Sequence, residues 1–272
     1  MSKPVLSARA FLVRGLLVGL LAGFAAFLVA HQVGEPHVER AIALEEAGAA
    51  ATDETAEHSH DDAEATHSHG DEEEGGTTVS RPTQRTWGLA TGTLTVGIAL
   101  GGLVALVSAA VVGRMGRLGP GQSTAVVAAV GFVAVALVPF LKYPATPPAV
   151  GSGDTIGDRT AYYFAFQLLS LVVAVALVAL ASRLWSRIGA FEAVVAAAAA
   201  YVVIMTVAGI VMPTVNEVGD FPADELWFFR RASLLTLATM WGVIGIGLTG
   251  LVGRLGDRHR VEVERREFAA SL

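Results

Sequence analysis

The sequence contains no cysteine, and only two of its 272 residues are lysines. The absence of cysteine excludes disulfides, thiolate metal sites and iron–sulfur clusters. Neither lysine, Lys3 nor Lys142, lies in a GxxxxGK[ST] pattern, which argues against an ATPase on this chain. Charged residues make up only 16% of the chain and form no basic patch of the kind that binds nucleic acid. No nucleophile–base arrangement is visible either, so the sequence favours a protein that is not an enzyme and has no nucleic-acid partner.

Long apolar runs take the place of these features. Hydrophobic residues make up 53% of the chain and the mean hydropathy is +0.55, which is too apolar for a soluble domain. A bilayer core about 30 Å thick needs roughly 20 apolar residues in a helix. Six stretches qualify, at about 10–30, 88–112, 124–141, 160–182, 191–212 and 232–251. They lack the alternation of barrel strands, so the sequence predicts a single all-α polytopic membrane domain over 1–272, with about six transmembrane helices in three hairpins.

The first apolar run could also be a cleaved signal peptide, which would leave five spans. Lys3 and Arg9 precede it, as basic residues do in such leaders. However, no clean A-x-A site follows Ala26, and the run exceeds a typical signal core. The sequence therefore favours retention of the first span.

Basic residues predict the orientation. The segments at one end of the six spans, with both termini, hold twelve of the Lys and Arg residues, and the longer segments at the other end hold seven. The positive-inside bias therefore predicts that both termini are cytoplasmic. The chain is expected in the inner (plasma) membrane, with residues 31–87, 142–159 and 213–231 facing the exterior or periplasm.

Two spans carry small-residue faces. Gly15, Gly19 and Gly23 form a GxxxGxxxG face on the first span, and Gly97 and Gly101 repeat the motif on the second. Such faces let helix backbones approach closely. They predict close helix packing, either within this chain or with a partner.

The longest outer segment contains an acidic stretch. From Glu45 to Glu74 there are twelve acids, no Lys or Arg and almost no large apolar side chain. Such a composition cannot bury enough surface to order itself, so residues 45–78 are predicted to be a disordered outer loop. Within it lie two His-Ser-His copies, with the imidazoles of His58, His60, His67 and His69.

Neutral imidazole among carboxylates suits nickel, cobalt, copper and zinc. The two His-Ser-His copies therefore predict capture of a divalent transition metal, and a solvated acidic linker is the alternative. By the Irving–Williams order such a loop cannot select cobalt, so it is interpreted as a local concentrator of ions. No firmly bound cofactor is expected.

Polar residues at the outer mouth are further candidates. His31 and Glu35 share a face if the helix continues, because they are four residues apart. The proposed metal ligands at the mouth are His31, Glu35, His37, Asn216 and Glu217. The alternative role of each is ordinary capping, or ion pairing with Arg230 or Arg231. At mid-depth the spans contain no His, Asp or Glu, which argues against proton-coupled transport by this chain alone.

Four segments carry a family resemblance. In collinear order they are RGLLVGLLAGFAAFLVA, VSRPTQRTWGLATG, LVPFLKYPATPPAVGSGDTIGDRTAYY and MPTVNEVGDFPADELWFFRRASL. They resemble the cobalt transporter subunit CbtA family. The resemblance implies cobalt uptake linked to cobalamin synthesis, beside a small single-span, histidine-bearing CbtB subunit. The residues that match, several of them expected to shape a vestibule, are Glu35, Pro36, Arg81, Arg85, Lys142, Tyr143, Asp154, Arg159, Asn216, Glu217 and Arg230.

Taken together, the residues and the resemblance predict a Co²⁺ uptake subunit. The outer loop would capture the ion and pass it to the vestibule. Two alternatives stay open: a nickel or zinc transporter subunit of the same architecture, and a metal-binding scaffold that supports a partner channel without transporting.

Overall fold

The computed structural model describes residues 6–57, 79–116 and 118–272. Every regular element in these ranges is helical, as the sequence predicts. Within them the α-helices are α1 Ala8–Val29, α2 Glu35–Glu57, α3 Arg81–Thr83, α4 Leu89–Val111, α5 Pro120–Gly131, α6 Val138–Lys142, α7 Ile156–Ile188, α8 Ala190–Val211 and α9 Ala223–Ala270. Three π-helical segments continue between α-helices, namely π1 Ala30–Gly34, π2 Gln84–Gly88 and π3 Phe132–Leu137, and a 3₁₀ turn lies at Gly153–Thr155.

These elements join into long helices. Six are long and apolar enough to cross a membrane: Ala8–Ala49, Arg81–Val111, Pro120–Lys142, Gly153–Ile188, Ala190–Val211 and Ala223–Ala270. The prediction of six helical spans is therefore confirmed. The helices extend well beyond the apolar runs. The last of them, α9, has 48 residues and is about 72 Å long, more than twice the hydrocarbon thickness.

Local chemistry explains where several helices begin and end. The hydroxyl of Ser7 accepts a hydrogen bond from the Ala10 amide, which caps α1. Pro120 opens α5 at the first helical position, where its missing N–H costs no intrahelical bond. A single residue, Gly189, separates α7 from α8. Its φ of 95° lies in the left-handed region that glycine adopts without strain, so the chain can reverse there.

The centre of the bundle is formed by α1, α4, α5 and α9. α1 packs against α4 and α9, and α5 packs against α9 and α4. The buried core between them includes Phe11 of α1 and the α9 side chains Ile244, Leu248 and Val252, which are 0–2% exposed. Because α1 packs against both α4 and α9, cleavage after the first span would remove one side of this core.

The glycine faces meet inside this core. Gly15, Gly19 and Gly23 of α1 lie directly against α4, where they contact backbone atoms around Gly97, Gly101 and Thr93. The two helices therefore approach backbone to backbone, as GxxxG faces allow. The sequence left open whether these faces pack within the chain or against a partner. In the structure they pack against each other within the chain.

The remaining two spans lie beside this body. α7 packs against π3 and α6, and α8 packs against α7. Only two residues of α8, Ala193 and Met205, are buried. The other apolar side chains of α8 face outward, as lipid-facing residues of a membrane protein do.

The disorder of residues 45–78 stays a prediction. α2 extends into the start of this segment and ends at Glu57, so residues 45–57 are helical in the structure. Their alanines, including Ala47 and Ala49, have the highest helix propensity of any residue, and the segment extends a helix that is already nucleated. The two His-Ser-His copies at 58–60 and 67–69 lie outside the described residues.

Candidate functional site

Three segments come together at one end of the bundle, which we call the cavity end. The first consists of residues 30–40 and 79–89, which contact each other; the second is residues 139–160, and the third is residues 212–231. Hydrogen bonds and ion pairs join them across the chain, for example from Lys142 to Met212 and from His37 to Glu225. The segments predicted to face outward therefore share one end of the helix bundle. The side of the membrane on which this end lies stays a prediction.

A cavity of about 1080 Å³ opens at this end. Its walls come from π1 and the start of α2, from the segment after α6, from the start of α7, and from the segment that leads into α9. The charged residues that line it are Glu35, Lys142, Arg159 and Arg230. Aromatic rings and aliphatic side chains form most of the remaining wall.

Glu35 is neutralised by an arginine. Arg81 Nη2 lies 2.6 Å from Glu35 Oε2, and the glutamate side chain is only 12% exposed. One helical turn further, Arg85 pairs with Glu39. The four residues thus form two parallel ion pairs that join the start of α2 to α3 and π2.

Glu217 is held by a second set of contacts. Its carboxylate accepts hydrogen bonds from the Thr155 hydroxyl at 2.7 Å and from the Ser152 amide at 3.1 Å. The Arg159 guanidinium lies 3.8 Å away and also donates to the Ser152 carbonyl. The hydrogen bond from Thr155 is the main cause of a lowered pKa of Glu217, and the amide of Ser152 and the charge of Arg159 act in the same direction.

Lys142 and Tyr143 contact only neutral partners. Lys142 Nζ donates to the Met212 carbonyl at 3.2 Å and lies 3.4 Å from the Thr214 hydroxyl. The Tyr143 hydroxyl donates to the Pro213 carbonyl at 2.8 Å, and burial raises the pKa of Tyr143 above its usual range. These bonds fix the segment after α6 to the segment after α8. The positive charge of Lys142 has no carboxylate partner among the described residues.

Arg230 is the second such cation. It projects from α9 into the cavity wall, and its Nε atom is buried without a hydrogen-bond partner in the described part of the chain. The neighbouring Arg231 differs, because it is exposed and lies over the ring of Phe228 at 4.9 Å. Asn216 lines the same cavity as Arg230.

The two histidines predicted as ligands at the mouth are placed apart. His31 Nδ1 lies 3.1 Å from the Arg85 carbonyl, and its ring stacks on Phe27. His37 Nδ1 lies 3.2 Å from the Glu225 carboxylate, which also pairs with Arg40.

The five residues predicted at the mouth are therefore distributed among several contacts. Only Glu35 and Asn216 of the five line the cavity. Within 6–57, 79–116 and 118–272 no group of three or more His, Asp or Glu side chains is placed to hold a metal ion. Of the other predicted vestibule residues, Asp154 is exposed in the 3₁₀ turn, where its amide donates to the Ser152 hydroxyl.

Some functional contacts were not predicted. Glu35 pairs with Arg81 and not with Arg230 or Arg231, and Glu39 pairs with Arg85. One signal could have found them: two glutamates and two arginines each stand four residues apart, the spacing of neighbours on a helix face. A polar contact between spans was also missed. Ser170 of α7 donates to the Ala134 carbonyl of π3 at 2.7 Å and lies 2.6 Å from the Tyr201 hydroxyl of α8.

Comparison with known proteins agrees with this architecture. The profile of the family described as "Probable cobalt transporter subunit (CbtA)" matches residues 8–253, which include the first five spans, most of the sixth and the whole cavity end. No curated protein and no solved structure matches the chain. The match covers far more than half of the chain, and this membrane protein therefore belongs to the CbtA family of cobalt transporter subunits.

Proposed function

We propose that this chain is the membrane-embedded subunit of a Co²⁺ uptake system that captures the ion on residues 45–78 at the exterior face. The observation that carries the proposal is the CbtA family match over residues 8–253. A small single-span, histidine-bearing CbtB-like subunit would complete the transporter, because the family name denotes a subunit rather than a whole transporter.

Metal capture is assigned to the His-Ser-His copies on the basis of the contacts of the other candidates. His31 and His37 already have protein partners, and Glu35 is neutralised by Arg81. In contrast, residues 58–69 bring four imidazoles into a stretch rich in carboxylates. Mixed imidazole and carboxylate ligands suit divalent ions of the cobalt, nickel and zinc group.

Protonation should control this capture. Imidazole with its ordinary pKa of about 6.5 binds metal only in the neutral form. The affinity of the segment for Co²⁺ should therefore fall as the pH drops through about 6.5. Equal affinity at pH 5 and pH 7.5 for the isolated 45–78 peptide would contradict capture by imidazole.

Replacing His58, His60, His67 and His69 together by Ala tests the proposal in the full chain. Cobalt accumulation by cells should fall at limiting Co²⁺ and recover at saturating Co²⁺, because the segment raises the local supply of ions. His259→Ala is the matched control, since this histidine lies near the far end of α9, away from the cavity end, and its replacement should leave accumulation unchanged.

Accumulation that is unchanged in the quadruple variant at limiting Co²⁺ would contradict capture by these residues. Competition by Ni²⁺ and Zn²⁺ in the same assay distinguishes the metal. Stronger inhibition by either ion than by added Co²⁺ would favour the nickel or zinc alternative.

A scaffold role is the second candidate. The side-chain hydrogen bonds here involve neutral groups: Gln167 and Ser170 of α7 donate to carbonyls of the third span, and Ser170 also bonds to Tyr201 of α8. Ion pathways in membranes usually contain ionisable side chains at this depth. Reconstitution in liposomes separates the two roles: Co²⁺ influx with this chain alone indicates a transporter, and influx only with its partner indicates a scaffold.

A further inference from the structure

The charges that line the cavity do not cancel. Glu35 is paired with Arg81, and Arg159 is paired with Glu217. This leaves Lys142 and Arg230, neither of which has a carboxylate partner within the described residues. Two uncompensated positive charges in a partly enclosed space repel a bare divalent cation and attract an anion.

Arg230 is the stronger indication of the two. A guanidinium presents five N–H donors, and proteins normally satisfy them when the group leaves bulk water. The Nε atoms of Arg81, Arg159 and Arg230 are all buried without a hydrogen-bond partner in the described residues. Arg81 and Arg159 donate to Glu35 and to the Ser152 carbonyl through their other nitrogens, whereas Arg230 has no such bond there. Arg230 as a whole is only partly buried and lines the cavity, so an anion in the cavity could accept hydrogen bonds from its guanidinium.

The rest of the wall suits a ligand with both a polar and an apolar part. The cavity is lined by the hydroxyl-bearing Thr214, which lies 3.4 Å from Lys142 Nζ, and by Asn216, together with the aromatic rings of Phe140, Phe164 and Phe229. A volume of about 1080 Å³ is far larger than a single ion requires and lies at the upper end of the range for small-molecule pockets.

We propose that this cavity binds an oxyanion, a phosphate or carboxylate group, with Arg230 and Lys142 as its principal donors. Planar guanidinium groups bind such oxygens with two parallel hydrogen bonds, and Lys142 adds a point charge. The site does not depend on the assignment of cobalt as the transported ion.

Two sources could supply this oxyanion: the headgroup of an anionic phospholipid, or a small dissolved anion such as inorganic phosphate or a polycarboxylate. Trp87 and Trp227 belong to the same end of the bundle and are 76% and 64% exposed. Exposed tryptophans are enriched at the level of lipid headgroups, which places the cavity within reach of a headgroup.

Binding to the purified full chain in a neutral detergent tests the proposal. Native mass spectrometry with added phosphatidylglycerol, against phosphatidylcholine as the uncharged reference, probes the lipid source. Titration calorimetry with inorganic phosphate and with citrate probes the dissolved source. Arg230→Gln should weaken binding of the successful probe by about tenfold or more, because it removes a charged hydrogen-bond donor, and Lys142→Gln should also weaken it.

Arg231→Gln is the matched control, since it removes the same charge one residue away and outside the cavity. It should leave the affinity within about twofold of the wild type. Arg230→Gln should not lower the melting temperature of the ligand-free chain, because Arg230 has no protein partner in the described residues to lose. A loss of binding would then report on the site rather than on the fold.

The outcomes are distinguishable. Selective retention of phosphatidylglycerol identifies a lipid headgroup, and saturable binding of phosphate or citrate identifies a dissolved anion. Either supports the proposal if Arg230→Gln weakens it by about tenfold or more. Absence of binding for all three anionic probes, or equal binding by wild type and Arg230→Gln, overturns it. None of these measurements involves cobalt, so failure of the uptake hypothesis would leave them unaffected.

Discussion

Two helix–helix contacts in this membrane domain are formed by different groups, one by backbone atoms and the other by side chains. α1 meets α4 through glycines, and the contact is between backbones. α7 meets the third span through side chains, with Gln167 donating to the Val135 carbonyl at 2.8 Å and Ser170 to the Ala134 carbonyl at 2.7 Å. Both accepting carbonyls belong to π3, where the helix is wider than an ordinary α-helix.

The difference indicates which contact can change. Two backbones in direct contact have no side chain that could move, so the α1–α4 contact is fixed. Hydrogen bonds between membrane helices contribute only about 0.6 kcal/mol each on average. The pair α7 and α8 is therefore attached more weakly than the helices of the central body, and π-helical segments are frequent where helices must adjust for function.

Substitution in the glycine contact between α1 and α4 should have the largest effect on the stability of the protein. A Cβ atom at Gly97 would lie 2.5 Å from the Gly19 carbonyl oxygen and 2.6 Å from the Gly23 amide nitrogen. Gly97→Val should therefore cost at least the roughly 3 kcal/mol at the upper end of overpacking effects, because backbone atoms cannot yield. Thermal unfolding in detergent measures it, and folded protein should be reduced or lost.

Gly92→Val provides the control on the same helix, since nothing lies within 4 Å of the position of its Cβ atom. It should retain a melting temperature close to that of the wild type. Equal destabilisation by the two substitutions would mean that helix propensity, rather than the close contact, determines the stability of α4.

Removal of the Ser170 hydroxyl should have an intermediate effect on stability, because it bonds to both the Ala134 carbonyl and the Tyr201 hydroxyl. Ser170→Ala should destabilise the chain by about 1 kcal/mol, since such bonds between membrane helices contribute about 0.6 kcal/mol each on average. Ser182→Ala, on the same helix, removes only a local bond to the Ala179 carbonyl and should be nearly neutral. A loss for Ser170→Ala as large as that for Gly97→Val would show that the two contacts are equally rigid.

Loss of the contact at Glu217 should have the smallest effect on stability. This contact should depend on pH. Its pKa is lowered in the folded state, so the contact should be fully present above the ordinary glutamate pKa and be lost only as the pH falls through the lower, folded value. The amide proton of Ser152, which donates to this carboxylate, reports the transition by NMR. Its midpoint should lie below the ordinary range of glutamate.

Glu217→Gln should abolish the titration of the Ser152 amide. A midpoint at or above the ordinary glutamate value in the wild type would contradict the hydrogen bonds from Thr155 and Ser152. Such a result would also remove the reason for pairing the segment after α8 with the 3₁₀ turn.

The sequence predicted the features that depend on local composition. The six spans followed from hydropathy, because every apolar run must satisfy its backbone within a helix in lipid. The faces of Gly15 to Gly23 and Gly97 to Gly101 followed from a spacing of four residues. Both were recognisable without knowing which helices are neighbours.

The candidate site depends on residues that are far apart in the chain. Glu35 and Arg81 are 46 residues apart, and Lys142 and Met212 are 70 apart. Local sequence patterns do not specify such pairs, because the contact depends on which helices are neighbours in the bundle. That Arg230 has no carboxylate partner among the described residues is equally a property of packing, so it could be found only in the structure.

The length of α2 separates the two ends of the acidic segment. Glu57 lies about 33 Å along the helix from Glu35, and Arg81, bonded to Glu35, returns the chain to the base of α2. The chain therefore leaves α2 at a distance comparable to the thickness of the hydrocarbon core and rejoins the bundle at an ion pair beside the cavity.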